Sequence, residues 1–181
     1  MLQIVVPITP EGWDEEKQEF VEPVSVTLQL EHSLVSLSKW ESKYCKPFLT
    51  KTRKTAEETM DYIKYMTLTP EVDPSVYTHL TEENVKDINN YIEAPMTATT
   101  INDRSKGKGG ASVVTSEVIY SWMVALNIPP EYQHWHLNRL MTLVRVCNIQ
   151  NSPQKKQSRS EIQRSNAALN AARRQQLNSK G

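Results

Sequence analysis

Val24-Ser-Val-Thr-Leu-Gln-Leu-Glu-His-Ser-Leu-Val-Ser-Leu-Ser-Lys-Trp-Glu-Ser-Lys-Tyr44 changes period half-way, and that change decides the fold. Up to Glu31, apolar Val24, Val26, Leu28 and Leu30 alternate with Ser25, Thr27, Gln29 and Glu31, the period-two pattern of a strand with one apolar face. From Ser33 onward Leu34, Leu37, Trp40 and Tyr44 fall at helical spacing, and Pro47 closes that helix. Upstream, Leu2-Gln-Ile-Val-Val6 is a short β-branched run ended by Pro7. The two strand-like runs predict an N-terminal β-hairpin, which needs helices to cover its apolar face.

The rest of the chain reads as helices separated by turn residues. Thr55-Ala-Glu-Glu58 fits a capping box ahead of the stripe Met60, Ile63 and Met66. Asp73-Pro74 opens a short helix through about Leu80, and Thr81 caps another carrying Val85, Ile88 and Ile92. A helix from Ser116 to Leu126 is followed by Asn127-Ile-Pro-Pro130, then by an apolar helix from about Glu131 to Cys147. Between these groups, the β-prone runs 97–101 and 111–115 flank the glycine-rich 102–110, predicting a second short hairpin with a mobile tip. The fold expected is mainly α (α+β): a helical bundle with an N-terminal β-hairpin, a second short β-hairpin and a basic C-terminal helix.

Composition sets limits on function. Of 181 residues, 38% are apolar and 23% charged, enough for one modest core with some chain outside it. No apolar stretch approaches the ~18 residues of a membrane-spanning helix. The N-terminus lacks the basic and apolar regions of a signal peptide. Cys45 and Cys147 stand far apart, which points to neither a disulfide framework nor a zinc site. The cytoplasm of the cell that makes the protein is the expected compartment.

The formal net charge of zero conceals a polarity. Residues 1–31 carry seven carboxylates against Lys17, a net of −6, while residues 152–181 carry seven cations against Glu161, a net of +6. Such ends attract one another between copies or serve separate partners. Residues 1–151 are expected to form a mostly helical core domain. Residues 152–181 are expected to be a basic, mobile helical tail, because Ile162, Leu169 and Leu177 are its only large apolar residues.

Motifs for chemistry are missing. Lys106-Gly-Lys-Gly-Gly110 has neither the spacing nor the Lys-Ser/Thr ending of a phosphate-cradling loop. His134 and His136, two residues apart on the expected helix, would point roughly 200° apart and could not share a metal ion. His32 and His79 add no obvious ligand partner. There is no Gly-x-Ser-x-Gly nucleophile elbow. The expectation is a protein that binds other proteins, with no catalytic residue, no metal and no cofactor. Nucleic acid is the weaker expectation for the tail, which has cations for phosphates but no aromatic residue to stack a base.

Three stretches carry a family resemblance: Val26 to Ser42, Tyr91-Ile-Glu-Ala-Pro-Met-Thr-Ala-Thr-Thr100, and Trp135-His-Leu-Asn-Arg-Leu-Met-Thr-Leu-Val-Arg-Val-Cys-Asn148. Together with the Asn- and Arg-rich ending, they make the chain resemble the tail assembly chaperones of siphophages. That resemblance implies a helical chaperone that coats the tape measure protein before the tail tube polymerises and then leaves. It brings no catalytic residues. It implies the tape measure and tail tube proteins as partners, alongside self-association, and the ending Asn178-Ser-Lys-Gly181 would suit the short form of such a chaperone. The contact residues expected are Lys155, Lys156, Arg159, Arg164, Arg173 and Arg174 of the tail, with Lys106 and Lys108 of the glycine-rich loop second. The alternative is a structural protein of the virion, a head–tail connector or tail component.

Overall fold

The computed structural model describes residues 1–9, 12–14, 19–21, 23–101, 113–151 and 159–177. The chain is mainly helical with an N-terminal antiparallel hairpin, and it divides into two compact units, 1–148 and 149–181. Strands β1 (Leu2–Thr9) and β4 (Val24–Leu30) pair with Ile4 opposite Leu28 and Val6 opposite Val26. This register puts Ile4, Val6, Leu28 and Leu30 into the core, as the alternation requires. Two further short strands, β2 (Gly12–Asp14) and β3 (Glu19–Val21), pair with each other in the excursion between them.

The free edge of β4 is closed by the chain that leaves helix α2 (Ala56–Met66). Leu68 N–H donates to the Gln29 carbonyl at 2.7 Å, Glu31 N–H to the Met66 carbonyl at 2.9 Å, and Gln29 N–H to Thr69 Oγ1 at 2.8 Å. Those backbone groups would otherwise be left unpaired beside the core. On the β1 side, the Asn84 amide donates to the Val5 carbonyl at 3.2 Å.

Helix α1 (Leu34–Tyr44) starts at Ser33, whose hydroxyl accepts from Ser36 N–H while the Ser36 hydroxyl accepts from Ser33 N–H. A serine thus does the reciprocal work usually given to Glu or Gln. The helix ends at Cys45, held left-handed at φ 51, a conformation that is strained for a residue with a side chain. Helix α2 (Ala56–Met66) begins with the Thr55–Glu58 capping box, and α3 (Glu82–Glu93) with a Thr81–Asn84 box. The Asp73-Pro74 signal opens a 3₁₀ helix over Pro74–His79. Trp40 lies under α2, its indole N–H donating to the Glu58 carbonyl at 2.8 Å, with Phe48 and Tyr62 packed beside it.

Helix α4 (Ser116–Ala125) has no side-chain cap from Thr115. Its opening is met from afar: buried Glu41 of α1 accepts from Ser116 N–H at 2.6 Å with one oxygen and from Phe48 N–H at 2.8 Å with the other. A carboxylate at a helix N-terminus satisfies an orphan donor and complements the helix dipole.

Two sequence expectations need correction. The helix expected from Glu131 is broken: a 3₁₀ turn covers Pro130–His134, the chain is extended at Trp135, and α5 runs over Leu137–Asn151. The cause is long-range pairing, since His136 bridges Ser33 and Leu137 N–H donates to the His32 carbonyl at 2.7 Å. The second short β-hairpin is absent from the described residues of 97–115. Residues 97–101 and 113–115 form no strand, and the Thr97 hydroxyl accepts from Thr99 N–H at 3.1 Å, a local turn that competes with strand pairing. Residues 102–112, including the expected tip, lie outside the described residues.

Helix α6 (Arg159–Leu177) makes up most of the second unit. Among the described residues, no helix is long and apolar enough to cross a membrane.

Candidate functional site

The expected contact residues are only partly within view. Lys106, Lys108, Lys155 and Lys156 lie outside the described residues. Arg159 opens α6, but its side chain is likewise outside them. Arg164, Arg173 and Arg174 are placed on α6, and every described side chain of that helix is exposed. Nine residues separate Arg164 from Arg173, which on an α-helix is roughly 180°. The cations therefore surround α6 instead of forming one face. That suits an electrostatic grip on an extended partner better than a shaped site.

A second basic region, which the sequence analysis did not single out, is built by 46–54. Lys46, Lys51, Arg53 and Lys54 stand there with no carboxylate among them. The segment lines a cavity of about 330 Å³ that also takes in Trp40, Pro47 and Glu58. Lys54 lies over the rings, 4.1 Å from the Phe48 centroid and 5.8 Å from that of Trp40, and donates to the Phe48 carbonyl at 2.8 Å. Partial burial holds the Lys54 ammonium below the usual lysine range, against the pull of Glu58. Glu58 itself is engaged: one oxygen meets Lys46 at 2.7 Å and the other accepts from Thr55 N–H at 2.8 Å. Lys46 and the cap hold the Glu58 carboxylate below its ordinary range. Arg53, exposed on the rim, forms no ion pair among the described residues.

The structure also unites two histidines that the sequence left apart. His32 and His136 lie edge to face with ring centroids 5.1 Å apart, 2% and 4% exposed. His136 Nε2–H donates to the Tyr91 carbonyl at 2.9 Å, while its Nδ1 accepts from Asn138 N–H at 3.3 Å, so the ring is neutral. His32 Nδ1 shares a 2.6 Å hydrogen bond with the Tyr62 hydroxyl. Burial, then the neighbouring His136, push His32 down to about 3, and burial lowers His136 as well. The Tyr91 hydroxyl donates to Glu31 at 2.7 Å, and Glu31 pairs with the Met1 amine at 2.9 Å. Sealed from solvent, the imidazoles join β4, α1, α2, α3 and α5 and leave no face to a substrate. Among the described residues, no group of three or more His, Cys, Asp or Glu is placed to hold a metal ion.

Comparison with protein-family models, with curated proteins and with solved structures gives no match.

Proposed function

We propose that the protein is a tail assembly chaperone of a siphophage, acting in the host cytoplasm by binding the tape measure protein and tail tube subunits, without catalysis. The observation that carries this reading is helix α6: 19 residues, rich in Ala, Arg and Gln, with every described side chain exposed. A cationic helix whose described side chains are all exposed suits grip on a long client. Weak contacts repeated along that client add by multivalency while each stays releasable. The resemblance of Val26–Ser42, Tyr91–Thr100 and Trp135–Asn148 to this family supports the same assignment.

The test is capture of the tape measure protein by the tagged chain, full length against a chain ending at Asn151. Capture that weakens at least about tenfold on truncation is the expected result. The protein should also be missing from purified virions by mass spectrometry. No capture by either form, with the protein present in virions, would replace this reading with a structural role in the particle.

A further inference from the structure

The basic cavity at 46–54 has an excess of charge that its own surroundings do not neutralise. Three cations, Lys46, Arg53 and Lys54, line it against the single carboxylate of Glu58, which is committed to Lys46 and to the Thr55 cap, and Arg53 forms no ion pair among the described residues. Such a pocket suits an acidic peptide segment, whose carboxylates pair with its cations. It does not suit a nucleic-acid base: Trp40 is 2% and Phe48 9% exposed, and Lys54 already covers both rings.

The chain carries the complementary element itself. Residues 11–22, Glu11-Gly-Trp-Asp-Glu-Glu-Lys-Gln-Glu-Phe-Val-Glu22, hold six carboxylates against Lys17, with Trp13 and Phe20 between them. In the β2–β3 ladder Trp13 is the register partner of Phe20, and Asp14 that of Glu19. The described residues that line the cavity all fall between 40 and 58.

We propose that the cavity formed by Lys46, Arg53 and Lys54 over Trp40 seats the acidic segment 11–22 of a second copy of this chain. Because donor and acceptor are different surfaces of one chain, the contact is heterologous and joins copies head to tail. It rests on the pocket and the charge pattern alone and is independent of the tape-measure reading. Opposed charge sets the orientation and the salt dependence.

Sedimentation velocity of the full chain tests this. The wild type should associate with rising concentration, and association should weaken as salt is raised through roughly 0.05 to 0.5 M. Arg53→Glu, and separately the double change Glu15→Lys with Glu16→Lys, should each weaken association about tenfold or more with an unchanged far-UV circular dichroism spectrum. Thr52→Glu, also on the cavity wall, serves as the second pocket-side variant should Arg53→Glu misfold. The deciding arm is the equimolar mixture of the two kinds of variant. One retains an intact hairpin and the other an intact pocket, and the two charge-reversed surfaces complement each other, so the mixture should recover association that neither variant shows alone. A wild type that stays monomeric, oligomers indifferent to Arg53→Glu, or a mixture that stays monomeric would each overturn the proposal. Binding of a single-stranded oligonucleotide that Arg53→Glu abolishes and excess hairpin variant does not would reassign the pocket to nucleic acid.

Discussion

Helices α1 and α6 reach the same backbone state by opposite routes. The 11 residues of α1 are too few to hold a helix alone, since isolated helices below about 12–15 residues are marginal. What holds them is burial of Leu34, Leu37 and Trp40, the Ser33–Ser36 box at one end and the Cys45 cap at the other. Helix α6 is 19 residues long, is built from strong helix formers, and exposes every described side chain. In α1 the tertiary structure makes the helix, whereas in α6 intrinsic propensity does. Substitutions should therefore be costly in one and nearly silent in the other.

Trp40→Ala is the sharpest way to break that contrast. It removes a fully buried ring, its packing on Phe48, and the 2.8 Å hydrogen bond to the Glu58 carbonyl. The expected loss is about 3–5 kcal/mol, a large share of the stability of an ordinary domain. Leu169→Ala on α6, at a position 52% exposed, should change stability by under about 0.5 kcal/mol. Urea midpoints of the two variants measure the difference. A near-neutral Trp40→Ala would mean that the core does not depend on the α1–α2 contact.

Glu41→Ala comes next. The side chain is 6% exposed and spans two backbone donors, Phe48 N–H and Ser116 N–H. Removing it leaves two buried N–H groups without partners and α4 without its cap. The expected loss is about 2–3 kcal/mol by urea unfolding. Amide exchange at Ser116 should rise even where the rest of α4 stays protected.

What the sequence allowed to be read, and what it did not, follows the same division between local and distant causes. The strand at Val24–Leu30, the turn into helix at Ser33, and the caps at Thr55, Asp73 and Thr81 are local, and each stands where its spacing placed it. Glu41 could not be read this way, because one carboxylate on an amphipathic helix looks like solvent-facing surface. Its partner lies 75 residues on. The start of α5 misleads for a related reason: Trp135, Leu137 and Leu140 fit a helical period, but His136 gives its backbone to Ser33 more than a hundred residues earlier. The charge of 46–54 was plain in the sequence, but its concavity was not. That arises only once Trp40 and Glu58 close on the loop from two helices. For the tail, helix and exposure at Arg164, Arg173 and Arg174 follow from composition, since nothing there competes with propensity.

The buried histidines give the two regions different responses to pH. His32 is held at about 3 in the fold against about 6.5 when unfolded, and His136 is shifted the same way. The unfolded chain therefore binds protons that the folded chain refuses. Stability contributed by the neutral rings is complete above about pH 6.5 and is lost as pH falls toward 3, at up to about 1.4 kcal/mol per pH unit for each ring fully in that window. Tyr62, His136 and the Tyr91 carbonyl face these rings, while Glu31 acts against the trend by favouring a charged His136. Asp61, held at about 2 chiefly by Lys43, adds a loss only below about pH 4. Urea unfolding at pH 7, 6 and 5 should show a falling midpoint. A flat profile would mean that the rings take up protons inside the fold.

The smallest effect should come from Ala171→Gly, at the exposed middle of α6. Glycine in a helix interior costs about 1 kcal/mol relative to alanine, and that cost acts only on the helix that contains it. In α1 such a loss would be absorbed by packing and would move the unfolding midpoint of the whole unit. In α6 every described side chain is exposed, so the helix itself should fray. The expected signature is a lower helical signal near 222 nm at 25 °C, with the cooperative unfolding of residues 1–148 unmoved to within about 0.5 kcal/mol. A midpoint that falls together with the helical signal would show that α6 and the first unit unfold as one. The exposure of its side chains would then no longer mark it as a surface kept for a partner.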